Sequence, residues 1–218
     1  MSKFKNYFFI FSMVASYPLF SIGQIWMYFT KQKENDLYER IQHYSGEWTG
    51  SHLVAMIGVL LLIPSALAIG SLIKNKKGEG FITIGILLVS IGAFSLFGQY
   101  IIDFTLVDIF SLEKVKAYEV LDKIQNNLVI KWICYDLAAA WFIGMIFILI
   151  GFYKSKVVPT WSMIIFIFGL IFLILGPKIH GLVPRFAYLL FSVSFIPLTK
   201  NIWVNRINVS RFFNGVIK

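Results

Sequence analysis

The sequence predicts an all-α integral membrane bundle of six transmembrane helices, with both termini in the cytoplasm. Three observations predict it. Of 218 residues, 58% are hydrophobic and 14% charged, with 22 Phe, 10 Tyr and 6 Trp, and the mean hydropathy is +0.75. Soluble domains run at about 45–50% apolar and about 25% charged, and a water-soluble domain of this length has no interior large enough for the excess. Six stretches are long enough to cross a hydrocarbon core of ~30 Å, which takes about 20 apolar residues in a helix. Finally, charge alternates in sign bias from one connection to the next. The same composition excludes a disordered chain, a soluble enzyme and, with one Cys, a disulfide scaffold.

The spans fall at about 7–30, 51–73, 81–106, 128–153, 160–176 and 182–204, in one domain covering 1–218. Each is too long and too continuously apolar for a barrel strand, which alternates over ~10 residues. Helices alone then satisfy their backbone groups within lipid. The first span is preceded by Lys3 and Lys5, and Ser21-Ile22-Gly23 has the small-x-small form of a signal cleavage site. The apolar run continues through Ile25, Trp26, Met27, Tyr28 and Phe29, so the span reads as a retained anchor. The fifth is the shortest, bounded by Pro159 and by Gly176-Pro177, a tight start and a sharp stop.

Placing the charges gives the orientation. The N-terminal segment, the 74–80 and 154–159 turns and the C-terminal tail hold Lys3, Lys5, Lys74, Lys76, Lys77, Lys154, Lys156, Lys200, Arg206, Arg211 and Lys218 against Glu79 alone. The opposite segments, 31–50, 107–127 and 177–181, are nearly neutral. The positive-inside rule puts the first set in the cytoplasm. The formal charge of +9 is therefore a topology signal. No basic face interleaved with exposed aromatics points to nucleic acid, and the expected partner is the lipid bilayer.

Two outer segments carry helical stripes. In 31–50, Leu37, Ile41, Tyr44 and Trp48 share a face; in 107–127, Ala117, Leu121 and Ile124 do. Both read as amphipathic helices resting over the outer face.

Ionisable side chains within spans are costly and usually face the bundle interior. Here they gather in the outer halves of the spans. Gln24, His52, Gln99, Asp103, Lys131, Asp136 and Arg185 fall there, with His180 in the turn before the sixth span. Ser95, Gln99 and Asp103 lie at i, i+4 and i+8, on one face of span three. Asp136 is too short to reach the interface and is followed by Ala138, Ala139 and Ala140, which allow close helix approach. It is expected to face the interior and to pair with Arg185, while Lys131 reaches for the interface.

The eight residues form a candidate outward-facing pocket for a small or amphiphilic ligand, bound or transported. Two alternatives stand beside it. One is an intramembrane acid–base or metal enzyme, with His52, Asp103, Asp136 and His180 as ligands suited to a divalent ion. No His-x-x-x-His, His-Glu-x-x-His or Cys pair supports it, so no cofactor is predicted and the sequence leans away from an enzyme. The other is a structural or immunity-type partner protein whose polar residues hold the helices in register.

Gly46-Glu47-Trp48-Thr49-Gly50-Ser51-His52, running into span two, and Gly98-Gln99-Tyr100-Ile101-Ile102-Asp103, ending span three, give the chain a layout that resembles small six-span bacterial membrane proteins of uncharacterised families. The resemblance implies a bacterial plasma membrane and carries over no functional residue.

Overall fold

The computed structural model describes the backbone of residues 2–205 and the side chains of residues 7–201. The charges of Lys3, Lys5, Arg206, Arg211 and Lys218 lie outside the described side chains. Every regular element among the described residues is helical. In chain order these are α1 (Ser2–Lys33), α2 (Leu37–Ile73), α3 (Glu79–Ile109) and α4 (Lys114–Gln125). A short α5 (Leu128–Ile130) runs through a π turn (Lys131–Tyr135) and a 3-10 turn (Asp136–Ala138) into α6 (Ala139–Ser155). Then come α7 (Thr160–Ile179), α8 (Val183–Ser194) and α9 (Ile196–Asn205).

Five helices are long and apolar enough to cross a membrane: Tyr7–Lys33, Leu37–Ile73, Glu79–Ile109, Leu128–Ser155 and Thr160–Ile179. Their outward faces are apolar as well. Leu87 and Phe94 on α3 are 60% and 62% exposed, a surface that suits lipid and that water would penalise. The sixth expected span, 182–204, is divided into α8 and α9, each shorter than a bilayer crossing. Pro197 explains the break: it has no N–H to give the Val193 carbonyl. The Phe195 N–H is shared between Phe191 and Ser192, and Leu198 and Thr199 both bond back to Phe195.

The helices of the first half overrun a bilayer. α2 has 37 residues, about 55 Å at 1.5 Å per residue. One end of the bundle, here the lysine end, carries the turns with Lys74, Lys76, Lys77, Lys154 and Lys156. At the other, the cap end, α2 and α3 project beyond their neighbours and α4 packs across them. Ile41, Leu106, Phe110, Ala117 and Leu121 form a second small core there, flanked by Leu37, Tyr38, Trp48 and Tyr118. The two amphipathic stripes expected over the outer face thus exist, but they bury their apolar faces against each other and the end of α3. The first is not a separate helix; it is the opening of α2, bent at Tyr44 (φ −127°, ψ 34°).

Contacts run α7–α8–α1–α2–α3–α6, while α6 and α7 scarcely touch. At the α3–α6 seam, a Cβ on Gly85 would meet the Gly144 carbonyl at 2.9 Å, and one on Gly144 would meet Gly85 O and Val89 N at 2.7 Å. Backbones this close gain dispersion contacts that lipid cannot match. Between α1, α6, α7 and α8 aromatic rings fill the interior instead. Tyr17 lies 5.6 Å from Phe191 and 5.3 Å from Phe195, Phe166 lies 5.0 Å from Phe191, and Trp141 lies 5.8 Å from Tyr188. Tyr17 Oη donates to Met145 Sδ at 3.3 Å, tying α1 to α6 across the middle.

Candidate functional site

The cap end holds a continuous polar network built on α1, α2, α3 and α8. Its first half centres on His52, which is buried. The opening stretch of α2 sets the ring: His52 Nδ1 lies 2.6 Å from the Trp48 carbonyl one turn earlier. A carbonyl only accepts, so Nδ1 carries the hydrogen. Trp48 in turn stacks on His52 at 4.2 Å and donates its indole N–H to the Asp103 carbonyl at 2.9 Å. His52 Nε2 then faces Asp103 Oδ2 at 3.6 Å. A neutral imidazole would present a lone pair to a carboxylate there, so the gap is matched only when one proton is held between the two groups.

The second half centres on Arg185. Its Nε donates to the Gln24 carbonyl at 2.9 Å and its Nη1 to the Gly181 carbonyl. The guanidinium lies 4.8 Å from the Tyr28 ring centre, a favourable cation–π placement. Ser21 Oγ donates to the Arg185 carbonyl at 2.7 Å. His180 Nδ1 accepts from the Leu182 N–H at 3.2 Å, which leaves the proton on Nε2, 3.4 Å from Tyr28 Oη. Gln24 joins the halves, because its side-chain N–H donates to Tyr100 Oη at 2.7 Å and Tyr100 meets the His52 ring edge-on at 6.0 Å.

Five of the eight expected residues are thereby joined: Gln24, His52, Asp103, His180 and Arg185. Gln99 lies one turn from Asp103, half-buried, and its side chain makes no hydrogen bond among the described residues. Lys131 and Asp136 are not part of the network. Both are exposed, and Arg185 is held by main-chain carbonyls, so the expected Asp136–Arg185 pair does not form. The helical period is the reason. Trp141, Met145, Ile148 and Phe152 are buried and set the inner face of this span, and at 100° per residue Asp136 stands about 140° around from Trp141. The Asp136 N–H also reaches back five residues to the Lys131 carbonyl, a π turn that shifts Lys131, not Asp136, relative to α6.

Three network members and one residue beside the network were not singled out as site residues from the sequence. Trp48 falls in the 31–50 stripe, Tyr100 in the stretch that ends span three and Tyr28 in the apolar run of span one, with nothing to single out their bonds. Arg40 read as a solvated face, yet it is buried and donates to the Glu34 carbonyl at 2.9 and 2.6 Å and to that of Asn35 at 3.2 Å. It closes the α1–α2 turn by satisfying carbonyls left over at the end of α1.

No three His, Cys, Asp or Glu side chains among the described residues are placed to hold a metal ion. Of the four expected metal ligands, His52 and Asp103 adjoin, His180 sits with Tyr28, and Asp136 faces outward. No family model, curated protein or solved structure matches the chain.

The helical rise sets the distance of the network from the lysine end. The helical rise from His52 to Lys74 is about 33 Å, and from Glu79 to Asp103 about 36 Å. That is the full thickness of a hydrocarbon core of ~30 Å, so His52 and Asp103 stand at its far boundary. Inward from them on α3, Gln99 is half-buried and Ser95 is buried with no hydrogen bond. Asp103, Gln99 and Ser95 thus make a polar stripe that leads from the cap end into the bundle with its bonding capacity largely unused.

Proposed function

We propose that the chain is a six-span protein of a bacterial plasma membrane, with both termini cytoplasmic, that binds or transports a small or amphiphilic ligand through the outer end of α3. On this reading α8 and α9 form the sixth span, bent at Pro197, and the lysine end faces the cytoplasm by the positive-inside rule. The carrying observation is the α3 stripe. The Asp103 side chain is 19% exposed and faces His52 at 3.6 Å, its one ion-pair contact among the described residues; Gln99 and Ser95 follow at one-turn intervals, their side chains without hydrogen bonds among the described residues. Such a stripe at a membrane boundary suits a ligand that brings donors to the carboxylate and an apolar body to the bundle. The Arg185 half, whose donors are met by main-chain carbonyls, is a scaffold that fixes α1 against α8.

Equilibrium dialysis of the full chain in lipid nanodiscs against phenethylammonium, octylammonium and choline tests this reading. At least one should bind saturably, and Asp103→Asn should weaken that binding about tenfold, as loss of a charged hydrogen bond does. Equal binding to Asp103→Asn, or no saturable binding by any of the three, refutes it. The second outcome would leave the network as a register device alone.

A further inference from the structure

The face of the fourth span that departs from the sequence expectation is itself informative. Leu128–Ser155 is the least buried of the five long apolar helices. Val129, Trp132, Ile133 and Ile143 are 64%, 64%, 51% and 46% exposed, and Ala139 is exposed among them. Lys131 and Asp136 are both exposed on this span, and the π turn between them brings them nearer to one face than the roughly 140° that a regular helix would put between them. Neither side chain makes a hydrogen bond or ion pair among the described residues. An ionisable side chain turned toward lipid without a partner is costly, and such residues normally pair. This face carries one charge of each sign, both unmet.

We infer that the chain forms a two-fold symmetric dimer through this face, with Lys131 of each copy paired to the partner's Asp136. Two-fold interfaces bring the same patch from both copies together, so that residue i meets j while j meets i. A patch with one cation and one anion about one turn apart is self-complementary under that operation. With the axis along the membrane normal, both lysines lie at one level and both carboxylates about 7 Å deeper. The four-carbon stem of Lys131 covers that drop. Ala139 lets the helices approach below the charges, Trp132 and Ile133 fill the contact between them, and Val129 lies above. The inference needs the fourth span to cross a bilayer and does not depend on any ligand at Asp103.

Crosslinking of the full chain in native membranes tests it. Ile133→Cys, in a Cys134→Ser background, should give an oxidised band at twice the 25.0 kDa chain mass. Asp136→Lys alone sets lysine against lysine, and Lys131→Asp alone sets carboxylate against carboxylate. Each should cut the crosslinked fraction at least about tenfold, since facing like charges suppress association. Co-expression of the two reversed chains, one carrying only lysines at these positions and the other only aspartates, should restore the band as a heterodimer. That rescue requires both chains to be folded, so misfolding cannot produce it. A pair within one chain, or lysine held by lipid phosphate, gives no rescue on mixing. No band from the parent, a band that survives both reversals, or two monodisperse reversed chains that fail to crosslink together would each overturn the dimer.

Discussion

The lysine end and the cap end are built from the same helices, yet different chemistry holds them. At the lysine end the connections are short and conformationally demanding. Asn75, Gly78 and Lys156 take positive φ values of 63°, 95° and 52°, and a Cβ on Gly78 would meet the Gly151 carbonyl at 2.8 Å. Its interior is mostly apolar, with Ile73, Phe152, Phe166 and Phe195 almost completely buried and the buried Ser162 hydroxyl donating to the Ser194 carbonyl. The cap end instead carries both buried basic side chains among the described residues, Arg40 and His52. The difference separates two tasks. In lipid, where burial of apolar surface gives little drive, close backbone contact decides how near two helices come. Hydrogen bonds such as Gln24 to Tyr100 and Trp48 to Asp103 decide how each helix is rotated.

The largest break in this comparison should come from the α3–α6 seam. Gly144→Leu has no room between α6 and the Gly85–Val89 backbone, and it should cost about 3 kcal/mol or more, the upper range for overpacking. Steric-trap unfolding in bicelles measures it. A loss below about 1 kcal/mol would mean that α6 can slide on α3 and that the glycine contacts do not set the seam.

That seam was legible in advance, since Gly85 and Gly92 stand seven apart on one face of span three and both meet α6, Gly92 against Trp141. The apolar spans were legible for the same reason: length and hydropathy are local properties. Three things were not. The join between the 31–50 stripe and span two escaped because Gly46 and Gly50 interrupt the pattern there; the helix passes through them, bending at Tyr44. The division of the last span depended on one missing N–H at Pro197. The direction of Asp136 was not in the cues used for it, a short side chain and the alanines that follow; the helical period about buried Trp141 sets it roughly 140° from the inner face. Five of the named residues lie near one another because shared depth is readable from sequence. Their bonds to main-chain carbonyls are not.

The second break concerns the cap-end network. Arg185→Leu removes a charged donor from the Gln24 and Gly181 carbonyls, and should cost about 2 kcal/mol, as charged hydrogen bonds do. Asp136→Asn should leave the unfolding energy of the detergent-solubilised monomer unchanged, because the carboxylate is exposed and makes no hydrogen bond or ion pair among the described residues. Comparable losses from the two variants would restore the Asp136–Arg185 pair that the geometry excludes.

The smallest effect lies outside the spans, in the clamp that holds α4 to the start of α2. Asp36 caps α2 by accepting from the Glu39 N–H at 3.1 Å, accepts from Tyr118 Oη at 3.2 Å, and lies 3.2 Å from Lys114 Nζ. The Glu39 N–H, followed by Lys114, holds the Asp36 carboxyl below the ordinary aspartate range, while hydrogen bonds to Glu39 and Asp36 hold the Lys114 ammonium above the ordinary lysine range. A depressed carboxyl contributes stability that is complete above its unfolded value of about 3.9 and is lost as pH falls through the folded one. A raised ammonium contributes stability that is complete below its unfolded value of about 10.4 and is lost as pH rises through the folded one. The clamp is therefore whole between those limits and loosens on either side. Tyr38 and Tyr118 both stand edge-on to Phe110, at 5.6 Å, so their near-ultraviolet circular dichroism reports the docking of α4. The tyrosine band should weaken below about pH 4 and recover on neutralisation, with only a small change because both charged groups face solvent. Asp36→Asn can still cap α2 through its amide oxygen but has no proton to gain. It should therefore keep the neutral-pH band and lose its acid dependence; an acid transition that persists in Asp36→Asn would move the clamp to another carboxyl.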